Sequence, residues 1–175
     1  MGKYKKSIQL SLFGFVLLVV IYTVATSVFP DEGAPPEVGG QPPSFEAELL
    51  SGGTLQLQSY EGRPLVINFW GTFCPPCVEE TPALQRMYEK YQDQGVELIG
   101  INLGEQPIVR IEQFVNRFAV TYPIALDPEL LIRDMYGVRS YPTTFFIDRT
   151  GTIQEIKVGG MTEGFIESRI QMLLK

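Results

Sequence analysis

The only two cysteines of the chain lie three residues apart, in the segment F-W-G-T-F-C-P-P-C at positions 69–77. Residues 64–70 are nearly continuous apolar sequence, as expected of a strand that is buried on both faces of a sheet. A helical pattern of apolar positions begins after Cys74 and continues to about residue 94, where Gly95 stops it. Residues 96–102 predict a second buried strand. The cysteines therefore lie where a strand ends and a helix begins in a β-α-β unit, which places the chain in the α/β class.

The remaining sequence predicts a hairpin before this unit and a second group of elements after it. Residues 45–57 contain two alternating stretches separated by Ser51-Gly52-Gly53, a pattern typical of a β-hairpin. After the unit we expect helices at 108–118 and 128–136, strands at 143–147 and 152–158 around the turn D-R-T-G, and a closing helix at about 162–174. The order β-α-β followed by β-β-α predicts a mixed sheet with helices on both sides.

The amino-terminal residues have a different character. Residues 1–7 carry three lysines and no acid, and residues 8–29 contain no charge. The uncharged run is as long as the ~20 apolar residues that cross a bilayer. A cleaved signal peptide is the alternative, but its apolar region is only ~7–15 residues long and ends at an A-x-A-like site, which is missing here. We therefore predict a cytoplasmic segment at 1–7 and an uncleaved transmembrane signal-anchor at 8–29.

A linker and one domain follow this predicted anchor. Residues 30–43 are rich in proline and glycine and predict a linker, and residues 44–175 are long enough for one domain with its own core. Because the basic flank precedes the span, we expect a single-pass protein of the cell membrane with its domain outside the cytoplasm. All 20 acids but only 11 of the 14 bases lie from Asp31 onward, a net charge of −9, which argues against a nucleic-acid partner.

The chain contains no histidine. This excludes Ser-His-Asp and Cys-His catalysis, metal sites with histidine ligands and haem ligation through histidine. Two cysteines supply too few ligands for a closed zinc site within one chain. We therefore expect neither a metal nor a bound cofactor.

The position of the cysteines predicts a reactive pair of thiols. Unpaired N–H groups and the positive end of the helix dipole stabilise a thiolate at the start of a helix, so we expect Cys74 to be an exposed nucleophile and Cys77 to be the resolving thiol. Pro75 and Pro76 suit a first helical turn. A purely stabilising disulfide is the alternative, although closing so short a loop removes little chain entropy.

Three features of the chain resemble the thioredoxin superfamily: V-I-N-F-W-G-T-F-C-P-P-C, the later Y-P-T-T-F-F-I-D-R-T-G, and the order of the elements. The predicted anchor, the hairpin and the insertion at 104–127 narrow the resemblance to membrane-anchored thiol-disulfide oxidoreductases of the ResA/TlpA type. It implies a thioredoxin-like fold with an N-terminal β-hairpin and a βα insertion. It also implies an extracytoplasmic enzyme that reduces disulfides of secreted proteins, such as the C-x-x-C-H of apocytochrome c, and that is recharged by a CcdA-type membrane protein.

The resemblance also implies a substrate-facing loop. Pro142, which follows Tyr141, matches a family proline that is cis and lies against the C-x-x-C, where its neighbouring backbone can pair with a substrate strand. An ordinary proline at the start of a strand is the alternative. We interpret Trp70 as a core residue that also lines the cleft beside the cysteines. We interpret Phe73 as a residue that can contact a peptide.

Glu80 is the predicted proton acceptor. It lies one helical turn after Cys77, so its side chain can point beneath the active site, although an exposed helix glutamate is the common alternative. Asn68 occupies the position where thioredoxins carry a buried aspartate, and a desolvated carboxylate can take over proton transfer. The resemblance implies a glutamate at this spacing and a second one after the next strand, matched by Glu105, which can equally be a solvated loop acid.

Pro75-Pro76 departs from the Glu-Pro that is frequent in the ResA type. This dipeptide sets the pKa and the reduction potential of the thiols, so two other roles remain open. One is a reductase for endospore cortex formation, and the other is an oxidant that forms disulfides. A non-enzymatic binding module at the membrane is disfavoured because both cysteines are present. A thiol peroxidase is disfavoured because it would use a lone peroxidatic cysteine.

Overall fold

A computed structural model of the chain describes residues 14–21 and 34–175. The chain divides into two compact units, 1–34 and 35–175. In the first unit residues 14–21 are helical, and the apolar side chains from Phe15 to Ile21 are exposed. Within the described ranges, no helix has both the length and the apolar character needed to cross a bilayer. The rest of the predicted anchor, residues 8–13 and 22–29, lies outside the described residues, as does the predicted cytoplasmic segment 1–7.

The second unit is built on a five-stranded sheet flanked by helices. Two strands form a separate hairpin, β1 (Glu46–Glu48) and β2 (Thr54–Gln56). The strands of the five-stranded sheet are β3 (Leu65–Trp70), β4 (Glu97–Asn102), β5 (Ile124–Leu126), β6 (Thr143–Ile147) and β7 (Ile153–Val158). The helices are α1 (Pro75–Tyr91), α2 (Val109–Arg117), α3 (Leu131–Met135) and α4 (Glu163–Leu173), with short 3₁₀ turns at Leu57–Tyr60 and Gln92–Gln94. The sheet has the order β5-β4-β3-β6-β7, and β1 pairs with β2 as a separate hairpin.

Strand directions confirm the predicted mixed sheet. β3, β4 and β5 are parallel, β6 is antiparallel to β3, and β7 is antiparallel to β6. The carboxyl ends of β3, β4, β5 and β7 therefore lie at the same edge as the amino end of β6. This edge is the one at which α1 begins.

The two faces of the sheet bury separate apolar clusters. Val66 of β3 points to the face covered by α1, α2 and α4, and Ile67 points to the face covered by the hairpin and α3. This alternation follows from the two-residue period of a strand. All six residues of β3 are buried, as the apolar run at 64–70 predicts for a central strand.

The structure differs from the sequence prediction mainly at β5. This strand has only three residues and follows Pro123, so it offers neither an alternating pattern nor a long apolar run. Its pairing with β4 and the bridge from Leu49 of the hairpin to Ala125 decide its conformation. The insertion is expected as a strand followed by a helix, but it is α2 followed by β5, and it extends the sheet on the β4 side.

The second half of the predicted linker packs on the domain. The N–H of Gly39 donates to the carbonyl of Ile153 at 2.8 Å, and the N–H of Ile153 donates to the carbonyl of Gly40 at 2.9 Å. The hydroxyl of Tyr136 donates to the carbonyl of Pro43 at 2.8 Å. Residues 35–43 therefore belong to the folded unit.

Candidate active site

The two cysteines lie at the turn between β3 and α1. Cys74 is the N-cap of α1, and it forms a disulfide with Cys77 across a Cα–Cα distance of 5.2 Å. The Cys77 N–H donates to Cys74 Sγ at 3.3 Å. Because Pro75 and Pro76 have no N–H, this is the first backbone donor inside the helix. A thiolate at Cys74 would therefore depend on one N–H and the helix dipole for its stabilisation.

In the disulfide form both cysteines are largely covered. Cys74 is 6% exposed and Cys77 is 1% exposed. Cys74 is thus the more accessible of the two, but the expectation of an exposed nucleophile is wrong for this form, in which Cys74 is buried. Its sulfur is bonded to that of Cys77 and accepts the Cys77 N–H.

The loop before β6 lies beside this turn. The Tyr141–Pro142 peptide bond is cis, and Gly159 N–H donates to the Pro142 carbonyl at 2.8 Å. Phe73 is 61% exposed, and its ring meets that of Tyr141 edge-on with centroids 6.2 Å apart. An aromatic pair therefore connects the residue before Cys74 with the residue before Pro142.

Glu80 is a buried acid on α1. Glu80 is 2% exposed. Its carboxylate accepts hydrogen bonds from Asn68 Nδ2 at 2.9 Å and from the Met161 N–H at 3.0 Å. Burial raises the pKa of Glu80 to about 7, although the two hydrogen bonds and the charge of Lys157 oppose the rise. Near neutral pH this carboxyl group can both take up and release a proton.

Asn68 connects Glu80 to the sheet. Its amide nitrogen donates to Glu80 and also to Thr144 Oγ1 at 2.9 Å, on the neighbouring strand β6. The family resemblance predicts a position behind the cysteines for Asn68, whereas no sequence pattern indicates Thr144. The register of β3 with β6, in which Asn68 is opposite Thr144, brings these residues together.

Glu105 occupies a different position from Glu80. Its carboxylate accepts hydrogen bonds from the Thr72 N–H at 2.7 Å, from the Thr72 hydroxyl, and from Asn102 Nδ2 at 2.7 Å. Three donors thus hold it between the loop after β4 and the turn that leads to Cys74. Thr72 and Asn102 were not singled out from the sequence, although polar residues where parallel strands end are the available signal.

Trp70 lies in the core beneath the site. It is 3% exposed and packs on Phe114 with ring centroids 4.7 Å apart. Among the described residues, its Nε1 is the one buried side-chain polar atom without a hydrogen-bond partner. Across residues 14–21 and 34–175, no three His, Cys, Asp or Glu residues are grouped so that they could hold a metal ion.

The sheet order, the dithiol at the start of α1 and the cis-proline loop opposite it define a thioredoxin-like thiol-disulfide oxidoreductase. The chain belongs to the AhpC/TSA family of the thioredoxin superfamily, whose sequence profile matches residues 38–156.

Its relatives carry the same activity in their names. Thiol-disulfide oxidoreductase ResA of Halalkalibacterium halodurans is 36% identical over 165 residues, which cover 94% of this chain and 93% of that protein. ResA of Bacillus subtilis is 33% identical over 173 residues, covering 97% of this chain and 96% of that protein.

Solved structures agree with this assignment. The putative thiol:disulfide interchange protein DsbE from Chlorobium tepidum has a TM-score of 0.74 and 26% identity, and the match covers 79% of this chain and 99% of that one. StoA from Bacillus subtilis has a TM-score of 0.64 and 28% identity, covering 73% of this chain and 96% of that one. The resemblance seen in the sequence is thus confirmed at the level of fold and activity.

Proposed function

We propose that this protein reduces disulfides of other proteins outside the cytoplasm, with Cys74 as nucleophile, Cys77 as resolving thiol and Glu80 as proton acceptor. The Cys74 thiolate attacks one sulfur of the substrate disulfide, which breaks, and the other substrate sulfur leaves as a thiolate and takes up a proton. Cys77 then transfers its proton to Glu80 and attacks Cys74 in the mixed disulfide. The second substrate sulfur leaves as a thiolate and takes up a proton from the Glu80 carboxyl group or from water, so the substrate is released as a dithiol. Its two electrons come from Cys74 and Cys77, which are left as a disulfide.

The observation that carries this proposal is the buried Glu80. A carboxyl group with an ordinary pKa is a poor acceptor for a thiol proton, because a thiol has a pKa of ~8.5. Burial raises the pKa of Glu80 to about 7, which brings it closer to that of the thiol. Glu80 lies one turn beyond Cys77 on α1, on the helix face that its packing turns inward.

The substrate contacts belong to the neighbouring loop. The backbone beside Pro142 can pair with an extended substrate segment, in the manner of an added strand. Phe73 and Tyr141 lie next to it and offer apolar contact area to side chains that flank the substrate cysteine. Glu105 anchors the turn that carries Thr72 and Phe73, so we assign it a supporting role.

The resemblance to the ResA type supports a candidate substrate and a candidate electron donor. The relatives named ResA support apocytochrome c, with its C-x-x-C-H disulfide, as the leading candidate substrate. The regenerating electrons would then come from a CcdA-type membrane protein. The uncharged run at 8–29 supports an anchored, single-pass location with the domain outside the cytoplasm.

An oxidant that forms disulfides is the competing enzyme, and a spore-cortex reductase is the competing reductase. The reduction potential distinguishes the oxidant from the proposed reductase. We expect a value near that of thioredoxin (~−270 mV), whereas a value near that of DsbA (~−120 mV) would indicate an oxidant.

Trapping with Cys77→Ser tests the reaction and identifies the substrate. Without the resolving thiol, Cys74 should retain its substrate as a mixed disulfide that mass spectrometry identifies after isolation from intact cells. The matched control is Cys74→Ser, which leaves only the buried thiol and should capture much less. Capture of a c-type apocytochrome would support the leading substrate and capture of a spore-envelope protein the competing one. If no extracytoplasmic protein is captured, the proposal is wrong.

A further inference from the structure

A row of polar residues crosses the sheet beneath α1. Asn68 of β3 is paired directly with Thr144 of β6, and Thr144 is paired directly with Lys157 of β7. Directly paired residues project from the same face of a sheet, so the three side chains lie side by side. Glu80 reaches this row from α1 and accepts a hydrogen bond from Asn68.

The side chain of Lys157 is held on this face by α4. Its Nζ lies 5.6 Å from the centroid of the Phe165 ring, and Phe165 in turn is packed by the Arg169 guanidinium, 4.4 Å from the same centroid. Arg169 pairs with Glu155, the next residue along this face of β7. Lys157 itself makes no ion pair with an acid in the part of the chain that the structure describes, so its charge is not neutralised by a surface partner.

Among the described residues, the other groups that contact Glu80 are neutral. Asn68 and Thr144 carry no charge, and the Met161 N–H donates from the connection that leads into α4. Tyr122 comes from the segment before β5, and burial together with the charge of Glu80 raises its pKa above the ordinary tyrosine value, so it stays neutral. Cys77, one turn earlier on α1, is neutral in the disulfide and as a thiol. Lys157 is therefore the charged group that acts on Glu80.

We propose that Lys157 is a positioning residue whose ammonium group increases the fraction of Glu80 that is ionised before proton transfer from Cys77. The carboxylate is desolvated, and without a nearby cation it would be protonated over a wider pH range and unable to accept a proton. The charge of Lys157 lowers the pKa of Glu80 and so partly offsets its burial. The inference rests on the proposed role of Glu80, and Lys157 acts through Glu80 without touching the reacting sulfurs.

The test is the titration of Glu80 in the full-length oxidised protein. The infrared band of the protonated carboxyl group gives the midpoint, and the loss of that band in Glu80→Gln assigns it. Lys157→Met keeps the aliphatic stem over Phe165 but removes the charge, and it should raise the midpoint above those of the native protein and of Lys157→Arg. Lys157→Arg keeps the charge and should stay within a few tenths of the native midpoint. An unchanged midpoint in Lys157→Met would overturn the inference.

The matched control is Lys90→Met, which removes the same charge from an exposed position. Lys90 pairs with Glu167 on α4 and lies away from the Asn68–Thr144–Lys157 row, so the Glu80 midpoint should not move. A shift as large as that in Lys157→Met would show a general charge effect and overturn the specific assignment.

A second measurement separates this inference from the proposed function. The rate at which Cys77 releases a trapped model peptide from Cys74 is followed against pH in the native protein and in Lys157→Met. If the rate profile moves with the Glu80 midpoint, both proposals are supported. If the midpoint moves and the rate profile does not, the coupling of Lys157 to Glu80 stands, and the assignment of Glu80 as proton acceptor fails.

Discussion

Glu80 is a residue whose folded environment favours the protonated form. Its pKa of about 7, against an ordinary value of 4.5, means that the folded protein binds this proton more tightly than the unfolded chain does. The corresponding stability is fully present below pH 4.5 and is lost as the pH rises toward 7. The loss amounts to about 3 kcal/mol across that window.

Glu80→Gln should remove most of this pH dependence. The glutamine can keep both contacts if Asn68 turns its amide, because the Thr144 hydroxyl can then donate to Asn68. Between pH 5 and pH 8 we expect the free energy of unfolding of the native oxidised protein to fall by about 2–3 kcal/mol more than that of the variant, in urea titrations.

The control for this prediction is Glu79→Gln. Glu79 is the exposed neighbour of Glu80 on α1, so its substitution changes the same net charge without emptying the buried site. It should follow the native pH dependence. If the free energy of unfolding of Glu80→Gln showed the same pH dependence as that of the native protein, Glu80 would not be the group that causes it.

The proline pair limits how strongly the helix start stabilises a thiolate at Cys74. An N-cap side chain accepts from the N–H of the second or third helical residue, and Pro76 occupies the second position. Pro76→Ala should add a donor and increase the rate of alkylation of reduced Cys74 at mildly acidic pH by about fivefold. Pro75→Ala adds its N–H at the first helical position, where it does not reach the Cys74 sulfur, so it should change the alkylation rate much less. Equal rates for both variants would rule out the added donor as the cause.

At the scale of elements, segment 35–43 shows how a stretch that predicts a linker becomes part of the fold. Proline and glycine carry no periodic signal, so nothing local in 35–43 predicts where it packs. The hydrogen bonds of Gly39 and Gly40 to Ile153 depend on the exposed edge of β7, which exists only once the sheet has formed. Pro35 also packs against Gly137, where an added Cβ would lie 2.6 Å from Pro35 Cβ.

Gly137→Ala should therefore destabilise the domain more than a matched glycine substitution does. Gly137 has a φ of 63°, and Gly151 has a φ of 79° with nothing within 4 Å of an added Cβ. Both variants carry the backbone cost of about 1 kcal/mol, but only Gly137→Ala must also displace Pro35. In urea unfolding we expect the free energy of unfolding of Gly137→Ala to be about 1 kcal/mol lower than that of Gly151→Ala. We also expect Gly137→Ala to become susceptible to proteolysis near residue 35. Equal losses in the two variants would show that the contact with Pro35 contributes nothing.

At the scale of the whole molecule, the chain consists of a folded unit beginning at Pro35 and an amino-terminal unit with exposed apolar side chains. If residues 8–29 are an anchor, removing residues 1–33 should move the protein from the membrane fraction to the soluble fraction. The free energy of unfolding of the remaining domain and its rate of disulfide exchange with a soluble peptide should stay unchanged, because its core lies within 35–175. Fractionation followed by urea unfolding and an exchange assay measures this.

The matched control for the truncation is Leu18→Arg in the full chain. A charge at the centre of an apolar span costs about 3 kcal/mol for insertion, so this variant should weaken membrane association while keeping the full length of the amino-terminal unit. Recovery of the truncated and native proteins in the same fraction would contradict the anchor.

Much of the site was predictable from local sequence, because the chemistry depends on neighbours in the chain. The strand before Cys74 and the helix after it are strong local patterns, and the family resemblance supplied the cis-proline loop. The burial of Glu80 was weakly predictable, since its spacing from Cys77 indicates a helix face but not what covers that face. The pairing of Glu105 with Thr72 was not predictable, because the two residues are 33 positions apart and meet only where β3 and β4 end side by side.

The sequence by itself determined the class of fold, the reactive dithiol at a helix start, the absence of histidine chemistry and the presence of an uncharged run long enough to span a membrane. Only the tertiary structure decided the protonation behaviour of Glu80, the Asn68–Thr144–Lys157 row, the short strand β5 and the packing of segment 35–43. The physical reason is the range of the interactions involved. Periodicity, capping and chain spacing act over a few residues, whereas desolvation, strand register and edge pairing join residues that are distant in the chain and meet only in the folded domain.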